Sequence, residues 1–226
     1  MSQLQSGHAS DKPVVLGSSS KWRARILRDA GIPFIMRSPD IDEKSIRNGN
    51  PYVLTLAIAA AKAGVIADLL QDEEAGESLI ITADQVAIFH GDIREKPSGR
   101  TQARRWLSQY REDCVHVVTT VVVTDAVSRA SLNGHDTVTV VFGPFPDRVI
   151  DCLIGNGDVM QSCGAFVHED PAIAPFVRCY RGDGLTGRST PRRHGADNPD
   201  KDVLTSVSGL PLALTKRLLG QLGWGK

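Results

Sequence analysis

Apolar residues recur along the chain in two rhythms. Runs of β-branched and aliphatic residues predict strands: "PVVLGS" (13–18), "VHVVTTVVVTD" (115–125) and "SLNGHDTVTVVFG" (131–143). The last two pair as an antiparallel hairpin through a turn near Asp125–Arg129. "ESLIITADQVAIFHGDI" (77–93) reads as one strand, a turn or bend at Asp84, and a second strand. Helical spacing sets Leu54, Ile58, Ala61, Val65 and Leu69 on one stripe of 51–70, and Ala103, Trp106, Leu107 and Tyr110 on one face of 98–111. Further helices are expected from Ser20 to about Ala30, over "FPDRVIDCLIGNG" (145–157) and after Pro211. "PFIMRSP" (33–39) is extended and "DIDEKSIRNGN" (40–50) an acidic loop. Alternating helices and strands give an α/β protein with a mixed sheet. Residues 1–12 read as a flexible lead-in, 13–226 as one domain, and 183–206, rich in Gly, Pro, Arg and Asp, as a flexible insertion.

Composition narrows the partners. The 226 residues are 41% hydrophobic, enough for a sizeable core, and Lys plus Arg equals Asp plus Glu at 26 each. With no global basic field, nucleic acid is not an expected partner, and any anion site must be local. The most apolar stretch, 52–70, contains Lys62 and Asp68 and reads as a core helix, not a membrane span. Cys114, Cys152, Cys163 and Cys179 show neither CxxC nor metal-ligand spacing, and the polar start resembles no signal peptide; a cytoplasmic protein with reduced thiols is expected.

Chemistry concentrates at a few places. In "VLGSSSKWRARIL" (15–27) a glycine and three serines lead into a helix whose first turns carry Lys21, Arg23 and Arg25. Cations at a helix N-terminus oppose the helix dipole, so something must compensate them. A polyphosphate held by backbone N–H groups and by Ser18 and Ser20 would do so; side chains splaying into water would too. Asp84 is a turn residue or a carboxylate facing a cleft. With Asp40, Asp42 and Glu43 of the acidic loop it would suit Mg²⁺, which takes oxygen ligands and retains water. Lys62 and Lys96 are further candidates, the first equally readable as a solvated helix charge and the second as part of the turn "REKPSG".

Taken in order, "LGSSSKWR", "DIDE", "LAIAAAKA", "TADQVA", "EKPSGRTQARRWL", "VHVVTTVVV" and "SGLPLALTKRLL" resemble the Maf family of nucleotide pyrophosphatases. The resemblance implies an elongated mixed sheet with flanking helices and two lobes around a central cleft, an ITPase-like fold. It implies hydrolysis between the α- and β-phosphates of a nucleoside triphosphate, giving the monophosphate and pyrophosphate. Asp84 and Glu43 become the catalytic and metal-holding pair, with Mg²⁺ (or Mn²⁺ or Co²⁺) as cofactor. Ser18, Ser20, Arg23, Lys62 and Lys96 become the substrate-binding residues. A homodimer and a house-cleaning role in nucleotide metabolism also come with the resemblance.

Within the family, Trp22, Gln85 and Glu169 match the branch acting on 7-methyl-GTP; the dTTP/UTP branch has Arg, Thr and Gln there. A methylated guanine is cationic, so an aromatic ring and a carboxylate would favour it. Trp22 could instead be helix core, on one face with Ile26 and Ala30. Lys21, Ala24, Val167 and His168 depart from the branch pattern. The alternatives are dTTP/UTP hydrolysis and a non-catalytic, nucleotide-binding regulator of cell division, since Maf proteins are associated with septum formation.

Overall fold

A computed structural model describes residues 12–71, 77–182, 189–191 and 200–225. One sheet runs through it, built from β1 (Val14–Gly17), β2 (Ile35–Arg37), β3 (Leu79–Phe89), β4 (Asp92–Arg94), β5 (Cys114–Asp125), β6 (Ser131–Phe142), β7 (Val177–Gly182) and β8 (Ser189–Pro191). The order is β2-β1-β3-β5-β6-β7-β8, with β4 also on β3. The β2-β1-β3 pairings are parallel and all others antiparallel, so the sheet is mixed as expected.

The helices are α1 (Lys21–Asp29), α2 (Pro51–Leu69), α3 (Arg100–Gln109), α4 (Asp147–Asn156), α5 (Lys201–Val207) and α6 (Leu212–Gln221). They divide between the sheet's faces according to strand parity. Even-numbered residues of β3 face α2, where Thr82 donates to the Ala59 carbonyl at 2.8 Å and Val86 packs on Leu54 and Ile58. α2 is long and apolar enough to cross a membrane, yet it packs Leu54, Ile58, Ala63 and Ile66 into the protein with Lys62 among them.

On the opposite face the core divides in two. Leu79, Ile81 and Ala83 pack with α1 and α6 in an aliphatic core. Ala87 and Phe89 pack with α3 and α4 in a core rich in aromatic residues, including Phe142, Tyr110 and Phe166. Between them stand Gln85 and its cross-strand partner Thr119. Two cores thus share one face of a single continuous sheet.

The β5–β6 hairpin and the helices at 20–30, 98–111, 145–157 and after Pro211 form where the pattern places them. Two features differ. β3 passes straight through Asp84, which pairs with Thr120; the expected bend is absent because Lys62 from α2 meets the carboxylate inside the strand. The expected insertion contains regular structure: β8 within it pairs with β7, and at its end Asp200 caps α5 by accepting from the Asp202 amide. Of that stretch, 183–188 and 192–199 lie outside the described residues, as do 1–11 of the lead-in.

Candidate active site

β3 supports the site through a gap in its edge. One edge pairs continuously with β5, whereas the other pairs with β1 only at 79–81 and with β4 only at 87–89. Between those pairings, Asp84 and Gln85 line a cavity of about 800 Å³ whose walls come from elements on both faces of the sheet, Lys62 of α2 on one and Arg23 of α1 on the other. That is why neighbouring residues of opposite parity line the same space. Ten of the candidates singled out above line it: Ser18, Ser20, Trp22, Arg23, Glu43, Lys62, Asp84, Gln85, Lys96 and Glu169. Asp42 does too, whereas Asp40 does not.

Its centre is a charged chain. Lys62 Nζ lies 3.1 Å from Asp84 and 2.9 Å from Glu43. Asp84 is 8% exposed, and burial pushes its carboxyl above the ordinary range against the pull of Lys62 and Arg23. Glu43, half-exposed on the turn after β2, is also raised by burial, but Lys62, Lys96 and Arg23 outweigh this and hold it below its ordinary value. Arg23 is clamped to backbone: its Nε donates to the Gly209 carbonyl at 2.9 Å and its Nη1 to the Ala83 carbonyl at 2.8 Å. That second acceptor is an edge carbonyl left open by the gap. Gly209 holds φ at +98°, a conformation natural to glycine.

The cations at the start of α1 are compensated within the protein. Lys21 pairs with Asp158 at 2.7 Å, Arg23 is held as described, and Arg25 pairs with Glu169. Ser20 caps the helix by accepting from the Arg23 amide at 3.4 Å. Trp22 lines the cavity and lies outside the aliphatic core, with Lys21 and Arg25 about 5 Å from its ring centre (4.9 and 5.0 Å). The core alternative for Trp22 is therefore set aside.

Gln85 is turned toward the protein. Its amide donates to Thr119 Oγ1 at 2.7 Å and to the carbonyls of Ser206 and Val207 at 2.9 and 3.2 Å, while its carbonyl accepts from the Cys163 thiol at 3.3 Å. It ties the middle of the sheet to the end of α5. Burial and Asp84 push the Cys163 thiol up to about 12, so it is a neutral donor here. Sequence reasoning did not single out Cys163, Ser208 or Gly209 as site residues. The one available signal was "SGLP" (208–211), whose Gly and Pro mark a turn.

Among the described residues no three His, Cys, Asp or Glu side chains cluster as a metal cage. Asp84 and Glu43 nevertheless offer hard oxygen donors on one cavity wall. Mg²⁺ is commonly held by one or two carboxylates together with water and substrate phosphates, so the donor set fits that cation.

Known proteins resemble the chain along most of its length. The family model for Maf-like protein matches residues 13–186. A 7-methyl-GTP pyrophosphatase from Dictyostelium discoideum is 36% identical over 93% of this chain and 98% of its own length. A dTTP/UTP pyrophosphatase from Pelotomaculum thermopropionicum is 29% identical over 94% and 98%. A 7-methyl-GTP pyrophosphatase from Pseudoalteromonas translucida is 28% identical over 93% and 92%.

Proposed function

The chain belongs to the Maf family, and from that premise we propose that it is a nucleoside triphosphate pyrophosphatase with 7-methyl-GTP as its preferred substrate class. The observation that carries the reading is the Asp84–Lys62–Glu43 chain at the open stretch of β3, beside the clamped Arg23.

In this reading the triphosphate lies along Ser18, Ser20, Arg23 and Lys96, whose hydroxyls and charges neutralise it. Asp84 accepts a proton from the attacking water. The water oxygen bonds to the α-phosphorus, the bridging P–O bond to the β-phosphate breaks, and pyrophosphate leaves. Burial favours this role for Asp84, because a carboxylate with a raised pKa is a better base. Lys62 keeps Asp84 and Glu43 from repelling each other. A divalent cation held by Asp84 and Glu43 would acidify the water and polarise the phosphates.

Trp22 and Glu169 flank the base. Because Arg25 is drawn onto Glu169 beside the Trp22 ring, entry of a cationic base moves Arg25 off both. Gln85 contributes by fixing the turn after α5. A homodimer and a cytoplasmic location belong to the same proposal, and the four free cysteines accord with the latter.

The test is pyrophosphate release with Mg²⁺ across 7-methyl-GTP, GTP, dTTP, UTP, CTP and ITP. Preferential turnover of 7-methyl-GTP is the expected result. A dTTP/UTP preference, the activity named for the Pelotomaculum relative, keeps the chemistry and overturns the base assignment. Saturable binding without turnover would instead make the protein a nucleotide-binding regulator.

A further inference from the structure

His168 is buried at 4% exposure one residue before Glu169, and both of its ring nitrogens are engaged. Nδ1 lies 3.0 Å from the hydroxyl of Tyr180 on β7, and Nε2 lies 2.9 Å from the Ser208 hydroxyl in the turn between α5 and α6. Ser208 in turn donates to Glu169 Oε1 at 3.5 Å, the longest link, while the other carboxylate oxygen takes Arg25.

For an uncharged His168 ring, the directions of these bonds follow from the charged end. A carboxylate paired with a guanidinium offers only acceptors, so the Ser208 hydroxyl proton points at Glu169. The Ser208 oxygen then accepts from His168 Nε2–H. A neutral imidazole protonated at Nε2 has a bare Nδ1, which accepts from the Tyr180 hydroxyl. We propose that His168 is a positioning residue for base selection: a one-way chain from Tyr180 through His168 and Ser208 orients the Glu169 carboxylate across the cavity. This deepens the function proposed above and rests on its assignment of Glu169 to the base. The chain reaches Glu169 without passing through Lys62 or Asp84.

Two measurements test it. The first is independent of activity: ¹⁵N-labelled histidine in the full chain should show His168 as the Nε2–H tautomer, and the Nδ1–H tautomer would overturn the chain's direction. The second is a cycle of His168→Phe, Glu169→Gln and the double variant. It is read as the ratio of kcat/KM for 7-methyl-GTP to kcat/KM for dTTP. His168→Phe should lower the ratio about tenfold with dTTP turnover within about threefold of wild type, and should add nothing once Glu169 is Gln. Ser208→Ala, a smaller disturbance should His168→Phe fold poorly, should reproduce the loss of selectivity. Tyr180→Phe should give a smaller loss of about threefold, because the ring stays and only the donor goes. Parallel loss on both nucleotides, or an additive cycle, would overturn the inference. Wild-type preference for dTTP would instead overturn the base assignment; the cycle is then read on the dTTP-to-GTP ratio, where coupling supports the chain and additivity overturns it.

Discussion

Asp84 and Asp125 are both buried, at 8% and 6% exposure, and both belong to the long central strands, yet their carboxyls shift in opposite directions. Asp125 ends β5 at the hairpin turn. It accepts from the Val127 and Ser128 amides, the Ser128 hydroxyl and Lys12. Burial raises its carboxyl, but these bonds outweigh burial and bring it down to about 2. Asp84, in mid-strand, accepts from Lys62 alone among the described residues, and burial wins. A carboxylate saturated by its own turn is part of the scaffold. One left with spare acceptor positions facing a cavity is available to a substrate, a water or a cation.

Substitution can break this contrast directly. Asp84→Asn should lower kcat/KM by about 10³-fold while leaving thermal stability unchanged or slightly raised, because a buried charge is removed. Steady-state kinetics and calorimetry on one preparation check both halves, and retained metal-dependent turnover would remove Asp84 from the base role.

Lys62→Met should be the most destabilising, by about 3 kcal/mol at neutral pH, since it leaves Asp84 buried without its partner. The pH dependence has a definite sign. With Lys62 gone the folded-state pKa of Asp84 rises further above its unfolded value. The deficit therefore shrinks as pH falls through that folded value and grows as pH rises through it. Urea titrations across pH 4–8 measure it.

Gly164→Ala sharpens the contrast from the selectivity side. Gly164 sits at φ +66°, and a Cβ there would meet the Ala87 Cβ at 2.7 Å, beneath the loop carrying Cys163 and Glu169. A loss of about 2 kcal/mol is expected, with base selectivity reduced more than turnover of the preferred nucleotide.

Asp125→Asn completes the comparison with the smallest effect. It should cost about 1–2 kcal/mol at neutral pH and leave kcat/KM unchanged. A depressed carboxyl contributes above its unfolded pKa near 4 and loses that contribution as pH falls through about 2. The variant and wild type should therefore converge in stability over that interval.

These differences also explain what could be read in advance. Five of the six helices and the central hairpin were legible from periodicity, whereas the residues lining the cavity were legible through the resemblance of seven motifs taken in order. Asp84 as an interior strand residue was not. Its tolerance there depends on Lys62, twenty-two positions earlier on another element. α5 was hidden because its seven residues follow a stretch dominated by Gly, Pro and Asp, and a short helix has little periodicity to display. The link from His168 to Ser208 spans forty positions, and no local pattern announces it.

The turn at 206–209 has a consequence for the order in which the molecule comes together. It supplies acceptors to Arg23, Gln85 and Thr119 across separations of 186, 121 and 87 residues. Chain closure over such distances is slow compared with pairing the β5–β6 hairpin, and during synthesis from the N-terminus these acceptors emerge long after their donors. A nascent chain can thus lay down its central strands and α2 early while the cavity remains unformed. Catalytic competence would arrive as a late event, timed by the docking of α5 and α6.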